Sequence, residues 1–157
     1  MENSPTNTQH KFLKRLQLIH GILLGGMLLF TGVVYFLSIS DNANAEPISQ
    51  FLYLVPIIAL AGFILSRYLF NKIKEQITLS KMPLAKVTNL QTAYIVQFAL
   101  IETPVLFGLI AYMLTENIIH LLIAGLLIIY FYSLRPTAAK IDEELNLTQE
   151  EKQNWVD

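Results

Sequence analysis

Four apolar runs, each close to the length needed to cross a lipid bilayer, constrain this chain more than any other feature. They run from about Gln17 to Ile39, from Phe51 to Phe70, from about Thr92 to Leu114 and from about Ile118 to Leu134. A spanning helix needs roughly 20 mostly apolar residues, within about 17–25. Hydrocarbon offers no partner to a free backbone N–H or C=O, so each run is expected to be helical. A water-soluble bundle would space its apolar residues every three or four positions instead. The composition agrees: 54% of residues are hydrophobic and 15% charged, against roughly 45–50% and about 25% in soluble domains. The expectation is an all-α integral membrane four-helix bundle.

Lys and Arg orient it. Lys11, Lys14 and Arg15 precede the first run. Arg67, Lys72, Lys74, Lys81 and Lys86 lie at or beyond the end of the second, and Arg135, Lys140 and Lys152 follow the fourth. These are all 11 basic residues of the chain. The two remaining connections carry Asp41, Glu46 and Glu116 and no positive charge. Positive charge stays cytoplasmic, so both termini and the middle connection are expected inside. Lys11, Lys14 and Arg15 ahead of an apolar run, with Ala43-Asn44-Ala45 after it, also fit a cleavable signal. The run is longer than the roughly 7–15 residues of a signal core, so a true span is the better reading.

The chain divides into a membrane domain over residues 1–136 and a short cytoplasmic helical tail over 137–157. In the tail, Thr137–Asn146 reads as a helix with Ile141 and Leu145 on one side and Asp142, Glu143 and Glu144 solvated. Thr148 and Glu151 fit a capping box for a last short helix. The tail either binds a partner or only solubilises the terminus. The middle connection, Asn71–Gln91, reads either as an amphipathic surface turn or as a solvated linker. Thr115–Asn117 is so short that the last two spans must form a tight hairpin.

Small residues let membrane helices approach closely. Gly21, Gly25 and Gly32 share a face of the first span, and Ala59, Gly62 and Ser66 a face of the second. Ala99 lies four residues from Thr103 in the third, and His120 four from Ala124 in the fourth. These stripes are expected to pack the spans together within one chain, with dimerisation as the other use of the glycine pair.

Glu102 is the only acid well inside a span. It lies ten residues beyond Thr92, about 15 Å into the bilayer at 1.5 Å per residue. A charged carboxylate there costs several kcal/mol. No Lys, Arg or His lies at matching depth, so Glu102 is expected to be neutral at rest and hydrogen-bonded. Pro104 has no N–H and leaves the Leu100 carbonyl without its helical partner. Leu100, Thr103 and Thr31 are the candidate partners. Glu102 then either pins helices together or carries a proton or cation.

The stretch Ala99-Leu100-Ile101-Glu102-Thr103-Pro104-Val105-Leu106-Phe107-Gly108 resembles the carboxylate helix of the proteolipid c subunits of rotary ATPases, with an aromatic and a Gly five and six residues after the acid. The resemblance covers about 30 residues, with Lys81-Met82-Pro83 at the place of that family's cytoplasmic polar loop. It implies an ion-carrying role for Glu102. Four spans, the acid in the third, the polar tail and the lack of alternating glycines depart from that pattern. The whole chain resembles a group of small bacterial four-span membrane proteins with Arg135-Pro136-Thr137 after the last helix. That resemblance implies the bacterial inner membrane.

Other chemistry finds little footing. The chain has no Cys, hence no disulfide, thiolate metal site or Cys nucleophile. His10, His20 and His120 are dispersed, the last two near opposite interfaces, so neither a zinc site nor a catalytic pair is expected. A net charge of −1 gives no field for nucleic acid. Neither an enzyme nor a cofactor is expected. Arg67, Lys72 and Lys74 could attract anionic headgroups, though anchoring the topology is the commoner role of such residues. The expected function is an assembly or binding component that associates with itself or with a larger membrane complex. The alternative is an ion-coupled transport component that uses Glu102.

Overall fold

The computed structural model describes residues 5–40, 49–79 and 83–145. It is all-helical among them, in the order α1 (Pro5–Ser40), α2 (Ser49–Leu79), α3 (Pro83–Thr115), α4 (Ile118–Ser133) and α5 (Ala138–Leu145). Three helices carry stretches long and apolar enough to cross a membrane: Phe12–Ser38, Gln50–Glu75 and Ala85–Thr115. A fourth qualifies only when α4 and α5, bent by 75° to one another, are taken as one broken span. With 16 residues, α4 is about 24 Å long, short of the roughly 30 Å hydrocarbon core.

Among its described residues the middle connection is helical, not an extended linker. Helix α2 continues to Leu79 and α3 begins at Pro83. No Gly or Pro interrupts Asn71–Leu79, so nothing in that stretch stops a helix already propagating. Pro83 then opens α3, at the helical position where a missing N–H costs nothing.

Helix α3 is the hub. Half of its span is buried inside the protein, against 17% for α2 and 11% for α1. Phe98, Ile101, Val105 and Leu109 are fully buried on it. Leu29, Leu126 and Ile129 are about two-thirds exposed on the flanking helices. A surface this apolar suits lipid and would be a liability in water.

The small face of α2 packs against α3. Ala59 and Ser66 are buried. A Cβ on Gly62 would lie 2.8 Å from both the Leu100 carbonyl oxygen and Pro104 Cγ. Gly108, not singled out in the sequence, holds a second approach: its Cβ would lie 3.5 Å from Ala124 Cβ and from the His120 carbonyl. The stripe of α1 behaves otherwise. A Cβ on Gly21, Gly25 or Gly32 would meet nothing within 4 Å, and Ala99 and Thr103 are exposed as well. Contrary to expectation, these five residues do not pack the chain together among the described residues. Helix α1 seats through its other side, on Leu16, His20, Met27 and Val34.

The α3–α4 hairpin turns on two residues. Glu116 takes a left-handed φ of 52°, and its N–H donates to the Tyr112 carbonyl at 2.7 Å. Asn117 then caps α4, its side chain accepting from the Ile119 N–H at 3.0 Å.

Gly62→Ala should lower stability by about 1–3 kcal/mol, because the new methyl meets backbone and a proline ring that cannot rotate away. Gly125→Ala, where nothing lies within 4 Å, should stay within about 0.5 kcal/mol of the parent. Unfolding of the two purified variants in detergent distinguishes them.

Candidate functional site

The residues grouped around Glu102 do not converge. Glu102 is half-buried, and its carboxyl has no hydrogen bond among the described residues. The Thr103 hydroxyl donates to the Ala99 carbonyl at 2.9 Å. That of Thr31 donates to the Met27 carbonyl at 2.8 Å. Each therefore bonds its own helix. The Leu100 carbonyl freed by Pro104 faces Gly62 of α2. The reason is helical geometry: residues two apart on a helix point to nearly opposite sides. Leu100 and Pro104 turn towards α2, while Glu102 lies on the other side of α3.

A second polar centre lies at the end of the bundle that carries Arg67, Lys74 and Lys140. His20, expected near an interface, is buried. Its ring stacks on Phe131 with centroids 4.7 Å apart and meets Phe98 edge-on at 5.2 Å. Nε2 lies 2.9 Å from the Phe131 carbonyl. A carbonyl only accepts, so Nε2 carries the proton. One turn earlier, Gln17 Nε2 donates to the Pro136 carbonyl at 3.0 Å. Both acceptors belong to the end of α4 and the segment after it, where helix carbonyls lack helical partners. Gln17 and His20 thus fasten α1 to the point where the chain turns into α5.

The turn follows from Arg135-Pro136. Proline cannot donate to the helix and disfavours helical geometry in the residue before it. The chain restarts at α5, where the Thr137 hydroxyl accepts from the Lys140 N–H at 3.4 Å. Ile141 and Leu145 are buried, as their spacing implies. Glu144, expected to be solvated, instead accepts a hydrogen bond from the Tyr94 hydroxyl at 2.8 Å. Burial raises its carboxyl above the ordinary carboxylate range, against the opposing pull of that bond and of Lys74 and Lys140. Glu143 adds to the rise.

Between these elements lies a cavity of about 430 Å³ whose lining includes Arg67, Lys74, Tyr94, Gln97, Lys140 and Glu144. The sequence marked Arg67 as a headgroup candidate but gave no sign of Tyr94, Gln97 or Glu144, which meet only after α5 folds back. The capping pair Thr148 and Glu151 lies outside the described residues.

At the far end of the bundle His120 is also buried within the protein. Its Nδ1 lies 2.9 Å from the Thr115 hydroxyl, and its Nε2 has no partner among the described residues. No group of three His, Cys, Asp or Glu side chains suited to a metal occurs among the described residues. Compared with protein families, with curated proteins and with solved structures, the chain matches none.

A carboxyl raised by folding favours the folded contact when protonated. Docking of α5 should be firmest below the ordinary carboxyl value and weaken as pH rises through the raised value of Glu144. Hydrogen exchange of the α5 amides between about pH 4 and 8 should show this slope. Glu144→Gln should flatten it.

Proposed function

We propose that this chain is a membrane-embedded assembly component that associates through α1, the partner helix being α1 of a second copy. The observation that carries the reading is the open glycine face. Nothing lies within 4 Å of where a side chain would stand on Gly21, Gly25 or Gly32. Without a hydrophobic drive between helices in lipid, close backbone approach at such a face is what holds helices together. A second observation supports it: α1 is the least buried of the three long spans, at 11%. A parallel crossing of two α1 helices places the same face on both sides and closes as a two-fold dimer. The segregation of the basic residues supports an inner-membrane orientation with both termini in the cytoplasm.

The chain has no Cys, so a single Leu28→Cys substitution between Gly25 and Gly32 gives a clean probe. Oxidative cross-linking in membranes should trap a dimer, and adding Gly25→Ile should reduce it at least about tenfold. No dimer in the single-Cys protein would overturn self-association through α1.

One observation favours a second reading, ion-coupled transport. Glu102 is half-buried within α3, and no described residue bonds its carboxyl. An unpaired intramembrane carboxyl is a candidate proton or cation carrier, the role that the resemblance to proteolipid c subunits implies. On this reading a hydrophobic carbodiimide labels Glu102 faster at low pH, and Glu102→Gln abolishes proton flux in vesicles. Unchanged flux together with pH-independent labelling would exclude it.

A further inference from the structure

The basic-end cavity does not stand alone. On α2, Pro56, Ala59, Leu60 and Phe63 line an apolar groove of about 280 Å³. Continuing down the same helix face at steps of three and four, Arg67, Phe70, Asn71 and Lys74 line the cavity. Helix α4 repeats the pattern: Ile123, Leu126 and Leu127 line the groove, and Tyr130, Ser133 and Leu134 the cavity. Groove and cavity are therefore successive stretches of one seam between α2 and α4. Its chemistry changes where Phe63 of α2 meets Tyr130 of α4, with ring centroids 4.8 Å apart and the rings edge-on.

Above that contact the lining is wholly apolar. Below it three cations, Arg67, Lys74 and Lys140, outnumber two carboxylates, Glu143 and Glu144. Arg67, Lys74 and Lys140 form no ion pair among the described residues. The Arg67 guanidinium rests over the Phe63 ring, 5.8 Å from its centroid, and Lys140 Nζ donates to the Ser133 carbonyl at 3.1 Å. Of the two carboxylates, Glu144 accepts from Tyr94 and is drawn by Lys74 and Lys140, which leaves Arg67 as the cation that does not act on it. Gln97 is the independent sign. It lines the cavity and is only 6% exposed, yet its amide has no hydrogen bond among the described residues. Although the residue is buried, its amide is not among the fully enclosed unpaired atoms, so it reaches the cavity, where a ligand can meet it. An amide open to the cavity beside Arg67, in a lining with an excess of cations, fits an oxygen-rich anion.

We propose that the seam between α2 and α4 binds one anionic amphiphile, its acyl chain in the groove and its phosphate headgroup in the cavity, held by Arg67, Lys140 and the Gln97 amide. A free phosphate ion would use the cavity but leave the groove empty. A neutral lipid would use the groove but leave the excess positive charge, with Arg67, unmatched. Only an amphiphile with an anionic head satisfies both halves of the seam. The site is independent of the α1 face, so dimerisation and lipid retention can fail separately.

The full chain, purified in a neutral detergent, should retain one phosphatidylglycerol per protomer in native mass spectrometry. Its apparent affinity should exceed that for phosphatidylcholine of the same chains at least about tenfold. Arg67→Gln should remove most of that preference. Gln97→Leu, which alters no charge, should weaken phosphatidylglycerol binding several-fold. Leu126→Trp, which fills the groove at an exposed position, should weaken both lipids. Arg135→Gln, outside the lining, should change nothing. Equal retention of both lipids by the parent, or a preference untouched by Arg67→Gln, would overturn the proposal. So would binding of glycerol phosphate alone as tightly as phosphatidylglycerol.

Discussion

The close approach of Gly62 to the Leu100–Pro104 turn is the contact on which the bundle depends. In lipid, two apolar helices gain nothing by leaving the solvent, since the solvent is itself apolar. They associate where surfaces fit and where a polar backbone group needs cover. Pro104 creates that need by leaving the Leu100 carbonyl without an N–H. An uncovered carbonyl facing hydrocarbon is costly. Gly62, with no side chain in the way, lets α2 close over it. Once α2 is fixed to one side of α3, the Gly108–Ala124 contact fixes α4 beside it, and α1 takes the remaining side.

The parts of this architecture legible in sequence were those governed by one-dimensional rules. Apolar run length located the three long helices. The three residues from Thr115 to Asn117 left room for a hairpin only. The Ala59–Gly62–Ser66 stripe named the face of α2 that packs, and the spacing of Ile141 and Leu145 named the buried side of α5. The misreadings share a physical origin. Small residues at helical spacing show that a face can be approached, not that something in the same chain approaches it. Hence Gly62 packs while Gly21 and Gly25 stand open. Glu102, Thr103 and Pro104 are neighbours in sequence, but a helix turns about 100° per residue and spreads them around its circumference. The Asn71–Gln91 segment was read as a break because its polarity rises, and polarity alone does not end a helix.

Polar side chains are sorted by what the backbone leaves unsatisfied. Thr31, Thr92, Thr103 and Thr115 all bond carbonyls four residues back in their own helices. Only Thr115 also reaches another helix, its hydroxyl lying 2.9 Å from His120 Nδ1 of α4; the other three need no partner helix. The long-range polar bonds gather instead at the basic end, where α4 stops and its last carbonyls have no following helical turn. His20 reaches Phe131 and Gln17 reaches Pro136 across more than one hundred residues of chain. Tyr94 reaches Glu144 across fifty. Such bonds fix the relative position of helices that dispersion alone would leave free to slide.

The seam between α2 and α4 follows from a mismatch of lengths. With 31 residues, α2 extends about 46 Å, and α4, with 16, about 24 Å. Two helices of unequal length running in the same direction leave the longer one uncovered at one end. Here that end carries Arg67, Asn71 and Lys74. Had α4 continued past Ser133, its next turns would have covered them. Pro136 prevents this and turns the chain by 75°, so that α5 crosses the gap with its apolar side against α3 and its charged side towards the opening. The cavity is therefore the space that a helix of full length would have filled. Its basic lining on α2 and α5, and the apolar groove leading into it, both follow from where a single proline stands.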